Sequence, residues 1–204
     1  MIIGIICEGQ EESQSLAHIV SRITIEGVTI CKPVYASIEP KATSAQITKA
    51  AESRFKYFMA RKVNQILLLI DREDLTDCPG KRALEVEQAA LKMGFANVRV
   101  VIKNRKFENW LIADCEALKQ LSSFRPTQSF IRQVTAKADQ VADAVGLLSS
   151  IKTDKKSFHK TNDGTAIAKK AVPETIALHS RSFRRFLRLL THEDYKNQSK
   201  KAKT

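Results

Sequence analysis

Two uninterrupted apolar runs constrain this chain more than any other feature. Ile2-Ile3-Gly4-Ile5-Ile6-Cys7 is followed by Glu8, and Gln65-Ile66-Leu67-Leu68-Leu69-Ile70 is stopped by Asp71. Neither run alternates in polarity, so each reads as a strand covered on both faces. Helical patterns separate them. Residues 10–24 place Leu16, Ile19, Val20 and Ile23 on one face, and residues 43–62 are expected to turn Ile47, Ala50, Ala51, Phe55, Phe58 and Met59 inward. Pro79-Gly80 opens a third helix to about Gly94. The β-branched stretch 29–38, ending at Pro40, and the run 97–102 supply two more strands. Residues 107–121 read as a further helix, with Phe107, Trp110, Leu111 and Leu118 on its buried side. The order β-α-β-α-β-α-β, then helices only, predicts an α/β fold. Its parallel sheet of about four strands is flanked by helices through right-handed crossovers, and a helical C-terminal part follows.

Charge divides the chain in the same place. The 204 residues carry a net +12, but residues 1–121 hold 17 basic against 15 acidic side chains, whereas residues 122–204 hold 17 against 7. The division predicts an α/β domain over 1–121, a helical basic extension packed on it over 122–195, and a frayed polar tail over 196–204. A basic part on a near-neutral body suits a polyanion partner, and it equally suits a solvated basic surface. Arg181, Arg184, Arg185 and Arg188 fall on one helical face, opposite Phe183, Phe186, Leu187 and Leu190. The apolar stripe is expected to dock and hold the arginines outward as a phosphate-binding row. Lys152, Lys155, Lys156 and Lys160 crowd a polar loop with the same expected use.

Several classes drop out. No apolar run approaches the roughly 20 residues of a membrane helix. The N-terminal run lacks a basic flank and reads as a strand, not a signal peptide. Cys7, Cys31, Cys78 and Cys115 show no paired spacing, which fits small hydrophobes in a reducing, cytoplasmic setting better than a zinc cage. There is no phosphate-binding G-x-x-x-x-G-K-[ST] loop, no G-x-G-x-x-G after the first strand, and no arrangement of Ser or Cys with His suited to nucleophilic hydrolysis.

The chemistry is expected at the strand ends. Open parallel sheets bind ligands beyond the carboxyl ends of their strands, where strand order reverses. Glu8 and Asp71 stand at such ends, with Glu73 two residues on. If their strands are neighbours, these carboxylates converge and repel. Either one takes up a proton or a hard divalent cation compensates them. Other readings stay open: Glu11 and Glu12 suit the start of a helix, and Asp71 suits a cap or turn.

A strand ending in Glu8-Gly9 and a later apolar strand ending in Asp71-Arg72-Glu73 resembles the TOPRIM domain of topoisomerases, primases and overcoming-lysogenization-defect nucleases. Phe107-Glu108-Asn109-Trp110-Leu111-Ile112-Ala113-Asp114, with Glu12 and Ser182-Phe183-Arg184-Arg185-Phe186-Leu187, narrows the likeness. It points to a bacterial family of small TOPRIM-like proteins of unassigned function. The resemblance implies a Mg²⁺- or Mn²⁺-dependent nuclease acting on DNA or RNA. It also implies an ABC- or AAA-type ATPase encoded nearby and an anti-phage or toxin-like role. Glu8, Asp71 and Glu73 match the metal-holding acids, although Glu73 stands where Asp is commoner. Glu12 matches a second acid one turn on. Glu108 is a further ligand candidate or a helix cap, and Lys103 is a candidate to stabilise phosphate charge. Trp110 reads as core. A non-catalytic adaptor on the same scaffold, binding an ATPase or nucleic acid, is the competing expectation.

Overall fold

The computed structural model describes residues 1–195, and the expected tail 196–204 lies outside the described residues. Its sheet is parallel throughout and is built on β1 (Ile2–Cys7). Among the described residues the strand order is β2-β1-β4-β5, with β3 also paired to β1. β4 (Gln65–Asp71) lies on one side of β1, and β5 (Val98–Lys103) lies beyond β4. On the other side, β2 (Thr29–Ile30) and β3 (Val34–Tyr35) share the edge of β1. The sequence predicts one strand over 29–38. The break falls at Pro33, which has no N–H to donate to β1.

Each sheet face carries its own core. α2 (Ser44–Ala60) and α3 (Pro79–Lys92) cover one face, setting Phe55, Phe58 and Val86 against Ile66, Leu68, Val98 and Val100. α1 (Gln10–Val20) and the C-terminal helices cover the other, setting Leu16, Trp110, Phe183 and Phe186 against Ile3, Ile5, Leu67 and Val101. The basic C-terminal part therefore supplies much of one wall of the sheet's core. Among the described residues, no helix is long and apolar enough to cross a membrane.

Residues 107–121 form two short helices, α4 (Glu108–Ile112) and α5 (Cys115–Lys119), where one was expected. Asp114 breaks the run. Its Oδ1 accepts the N–H of Ala117 at 3.0 Å and caps α5, while Oδ2 accepts the N–H of Val172 at 2.7 Å. Other polar members of this segment pin the C-terminal part in the same way. Asn109 donates to the carbonyls of Ala138 and Val141, both at 2.8 Å, and the Trp110 indole donates to Ser182 Oγ at 2.8 Å. Trp110 is fully buried, as its sequence position predicts.

The chain then runs through α6 (Gln128–Val134), α7 (Ala144–Ser150), α8 (Asn162–Ala168), α9 (Pro173–His179) and α10 (Arg181–Leu189). Arg22 locks α8 to α1 by donating to the carbonyls of Ala168 and Ala171 at 3.1 and 2.6 Å, where the helix end favours a cation. The outward arginine row on α10 is corrected. Arg181 is exposed and Arg185 and Arg188 are half-buried, but Arg184 is buried and donates to the Ala177 carbonyl at 2.5 Å. It borders the apolar stripe on a helix packed against both β5 and α9, so its face is covered rather than wet.

Gly4 tests the packing of the sheet directly. A Cβ there would stand 2.7 Å from the buried Phe58 ring. Gly4→Ala is expected to lower stability by about 1–3 kcal/mol, read as a lower urea midpoint at unchanged slope.

Candidate functional site

The sheet order reverses between β1 and β4. From β1 the chain goes to the β2/β3 edge, then crosses to β4 on the other side. Glu8 follows β1 directly, and Asp71 ends β4. The register sets Asp71 opposite Lys103, the last residue of β5. α1 starts two residues after Glu8 and carries Glu12 in its first turn. Four ends of regular structure thus bring Glu8, Glu12, Asp71 and Lys103 together.

Lys103 is the centre of this group. Its side chain is 0 % exposed, and its Nζ lies 2.6 Å from Glu12 Oε1, 2.9 Å from Asp71 Oδ1 and 3.8 Å from Glu8 Oε1. The contact with Glu12 is a hydrogen bond. The contact with Asp71 is a close ion pair to Oδ1. Glu8 Oε1 also accepts the backbone N–H of Asp71 and so bridges the two strand ends. The Phe107 ring, its centroid 6.0 Å from Nζ, closes one side.

Three carboxylates against one ammonium leave two negative charges unmatched if all ionise. Burial and the neighbouring acids push Glu8 up to about 9 and Glu12 up to about 7, against the pull of Lys103. Burial raises Asp71 as well. For Lys103, burial would favour the neutral amine, but Asp71, Glu12 and Glu8 outweigh it and hold the ammonium well above its ordinary value.

Outside this group lies a cleft of about 270 Å³, lined by Glu8, Glu12, Asp71, Glu73, Glu108 and Lys160 among others. Glu73 lines the mouth. Its backbone is left-handed at φ 54°, and its carboxylate lies 3.5 Å from Lys41 and 3.8 Å from Lys106. Glu108 is buried and lies 3.1 Å from Lys160 Nζ. Among the described residues, no three His, Cys, Asp or Glu side chains are grouped to hold a metal ion. Lys103 fills the point where the expected ligands meet.

The basic loop divides between two roles. Lys160 lines the cleft, and Lys155 and Lys156 are exposed. Lys152 is corrected from a phosphate contact to an internal tie: its side chain is 7 % exposed and its Nζ lies 2.7 Å from Asp163 Oδ2. The rim lysines Lys41 and Lys106 had no signal in the sequence, because both lie in connecting segments without periodicity.

An open parallel sheet with an acid–lysine cluster at its switch point defines an α/β protein with an acid-lined cleft at the strand ends. The chain belongs to the family described as Domain of unknown function (DUF4276), whose pattern matches residues 7–191. No curated protein and no solved structure matches it.

Two tests follow from the cluster. Lys103→Met leaves the buried acids uncompensated and should cost about 3–5 kcal/mol at neutral pH, seen by urea unfolding. Glu8 and Glu12 keep their protons to higher pH folded than unfolded. Stability should therefore fall as pH rises from about 4.5 through about 7 toward about 9. Glu12→Gln should remove the share of that fall that Glu12 contributes between about pH 4.5 and 7, leaving the share of Glu8, and so make the profile shallower there. An unchanged profile would contradict the placement of Glu12.

Proposed function

We propose that the cleft hydrolyses phosphodiesters of a nucleic acid with the aid of a Mg²⁺ or Mn²⁺ ion. The observation that carries this reading is the charge imbalance: three carboxylates, Glu12 buried and Glu8 and Asp71 half-buried, face one ammonium, and when all three ionise the deficit equals one divalent cation. The donors are hard oxygens, which such ions prefer. Glu8 and Asp71 would hold the ion, with Glu73 and Glu108 as further carboxylates in the same cleft. When bound, such an ion polarises a phosphodiester and lowers the pKa of an attached water. The TOPRIM likeness of Glu8, Asp71 and Glu73 supports the same chemistry.

The chain's own groups have definite parts. Lys103 fixes Glu12 by a hydrogen bond and draws Asp71 toward it by charge. Glu12, pushed to about 7, is matched to accept a proton from an attacking water near neutral pH. Lys41, Lys106 and Lys160 stand at the edge of the cleft, where a phosphate backbone would be drawn in.

One observation favours a second reading, in which the scaffold binds without catalysis. The Lys103 ammonium already occupies the meeting point of the acids. On that reading the protein takes up no Mn²⁺ in calorimetry.

The decisive assay incubates wild type, Glu8→Gln and Asp71→Asn with plasmid, single-stranded DNA and tRNA in Mn²⁺. Wild type should cleave at least one substrate, and each variant should lose more than about 100-fold. Equal activity or equal silence of the three proteins removes the catalytic reading.

A further inference from the structure

One edge of the sheet carries a surface that the acidic cleft does not use. β2 and β3 form this edge, and Arg54 ties α2 to it by donating from Nε to the Tyr35 carbonyl at 2.7 Å. The Arg54 guanidinium also lies over the Tyr35 ring, its carbon 5.6 Å from the ring centroid. Tyr57 follows on α2, and the Arg61 guanidinium lies over its ring at 4.3 Å. The buried Phe58 ring meets Tyr57 edge-on at 5.1 Å and steadies it. Arg54, Tyr57 and Arg61 are spaced i, i+3 and i+7, so they share one helical face over ~10 Å. Tyr35, Tyr57 and Arg61 are exposed, and Arg54 is half-buried. Two tyrosine–guanidinium pairs therefore stand in line on the surface.

The surrounding charge is positive. Residues 49–62 hold Lys49, Arg54, Lys56, Arg61 and Lys62 against one acid, Glu52. Glu52 serves Lys49 and Lys56, each at 2.7 Å. In the connections that flank β2 and β3, Glu26 and Glu39 stand against Arg22, Lys32 and Lys41. Partial burial, then Lys169, Arg22 and Lys32, hold His18 below its ordinary value, so the positive field continues around the edge onto α1.

Positive charge alone suits any polyanion, and the planar pairs narrow the choice. A base stacks on a tyrosine ring or on the guanidinium plane laid over it. A carboxylate gains nothing from an aromatic face, which is itself negative. A duplex keeps its base faces stacked inside, so the fit is to a single strand. The register joins this surface to the cleft, because Tyr35 is paired to Cys7, the residue before Glu8. We propose that the Tyr35–Arg54 and Tyr57–Arg61 pairs form a track that binds single-stranded nucleic acid by base stacking and leads it to the acidic cleft. Delivery to the cleft rests on the nuclease reading of that cleft; the binding itself does not.

The experiment measures fluorescence anisotropy of a short labelled oligothymidylate in EDTA, with the same strand annealed to oligodeoxyadenylate as the duplex probe. Wild type should bind the single strand more than about tenfold tighter than the duplex. Tyr35→Ala and Tyr57→Ala should each weaken single-strand binding more than about fivefold, and Tyr57→Phe, which keeps the ring, should retain it. Arg61→Gln should lower the slope of log affinity against log salt by about 0.7. Arg61→Lys keeps the charge and loses the plane, so it should weaken binding at an unchanged slope. Lys119→Gln, on α5 over the other sheet face, should change nothing. No binding, equal affinity for strand and duplex, or affinity unmoved by loss of both rings overturns the proposal. Displacement of the strand by polyglutamate as readily as by unlabelled strand assigns the surface to acidic polypeptides and overturns it too. Cleavage in Mn²⁺ without this binding removes the track and leaves the cleft reading standing; binding without cleavage does the reverse.

Discussion

The buried Lys103 ammonium is the interaction on which the carboxyl end of this sheet depends. Three chain segments deliver Glu8, Glu12 and Asp71 to one point, and that point would be repulsive without a cation. β4–β5 pairing places the lysine there: the register that sets Ile70 opposite Ile102 also sets Asp71 opposite Lys103. A one-residue slip would turn the lysine to the other face of the sheet. Sheet pairing and site electrostatics are therefore one constraint. Lys103 cancels only part of the acidic charge, and burial, with the neighbouring acids adding to it, raises the carboxyl groups of Glu8 and Glu12. Protons can satisfy that remainder, and so can a dication.

Much of this was legible in the sequence, for a definite reason. β1 and β4 are apolar on both faces, so their spans and their terminal acids can be read off directly. Strand-end position then places Glu8 and Asp71 without tertiary information. Lys103 reads as a strand-end residue for the same reason. That its ammonium stands between the acids was not legible, because it depends on strand order and side-chain direction. Glu12 reads equally well as a dipole-compensating residue, and only its hydrogen bond to Lys103 separates the two roles.

The errors share one cause. Helical spacing puts Arg184 with the polar face of α10, but that helix is covered from two sides, by β5 and α9. Charge density marks Lys152 as part of a phosphate-binding loop, but Asp163 draws it inward. Periodicity runs 107–121 together, but Asp114 serves two backbone N–H groups and breaks the helix. In each case a polar side chain meets a partner in another segment of the fold. Among the described residues, the basic side chains of 122–195 accordingly do not form a single binding face. Some are internal, Lys160 reaches the acidic cleft, and others line a cavity beside β5.

The central claim is that the acids at the switch point hold a divalent cation in addition to Lys103. Anomalous scattering from a Mn²⁺-soaked crystal tests it most directly. The account predicts one manganese peak in contact with the carboxylates of Glu8 and Asp71, lost in Glu8→Gln crystals. A cluster without a peak, with Lys103 still bound to all three acids, would contradict it.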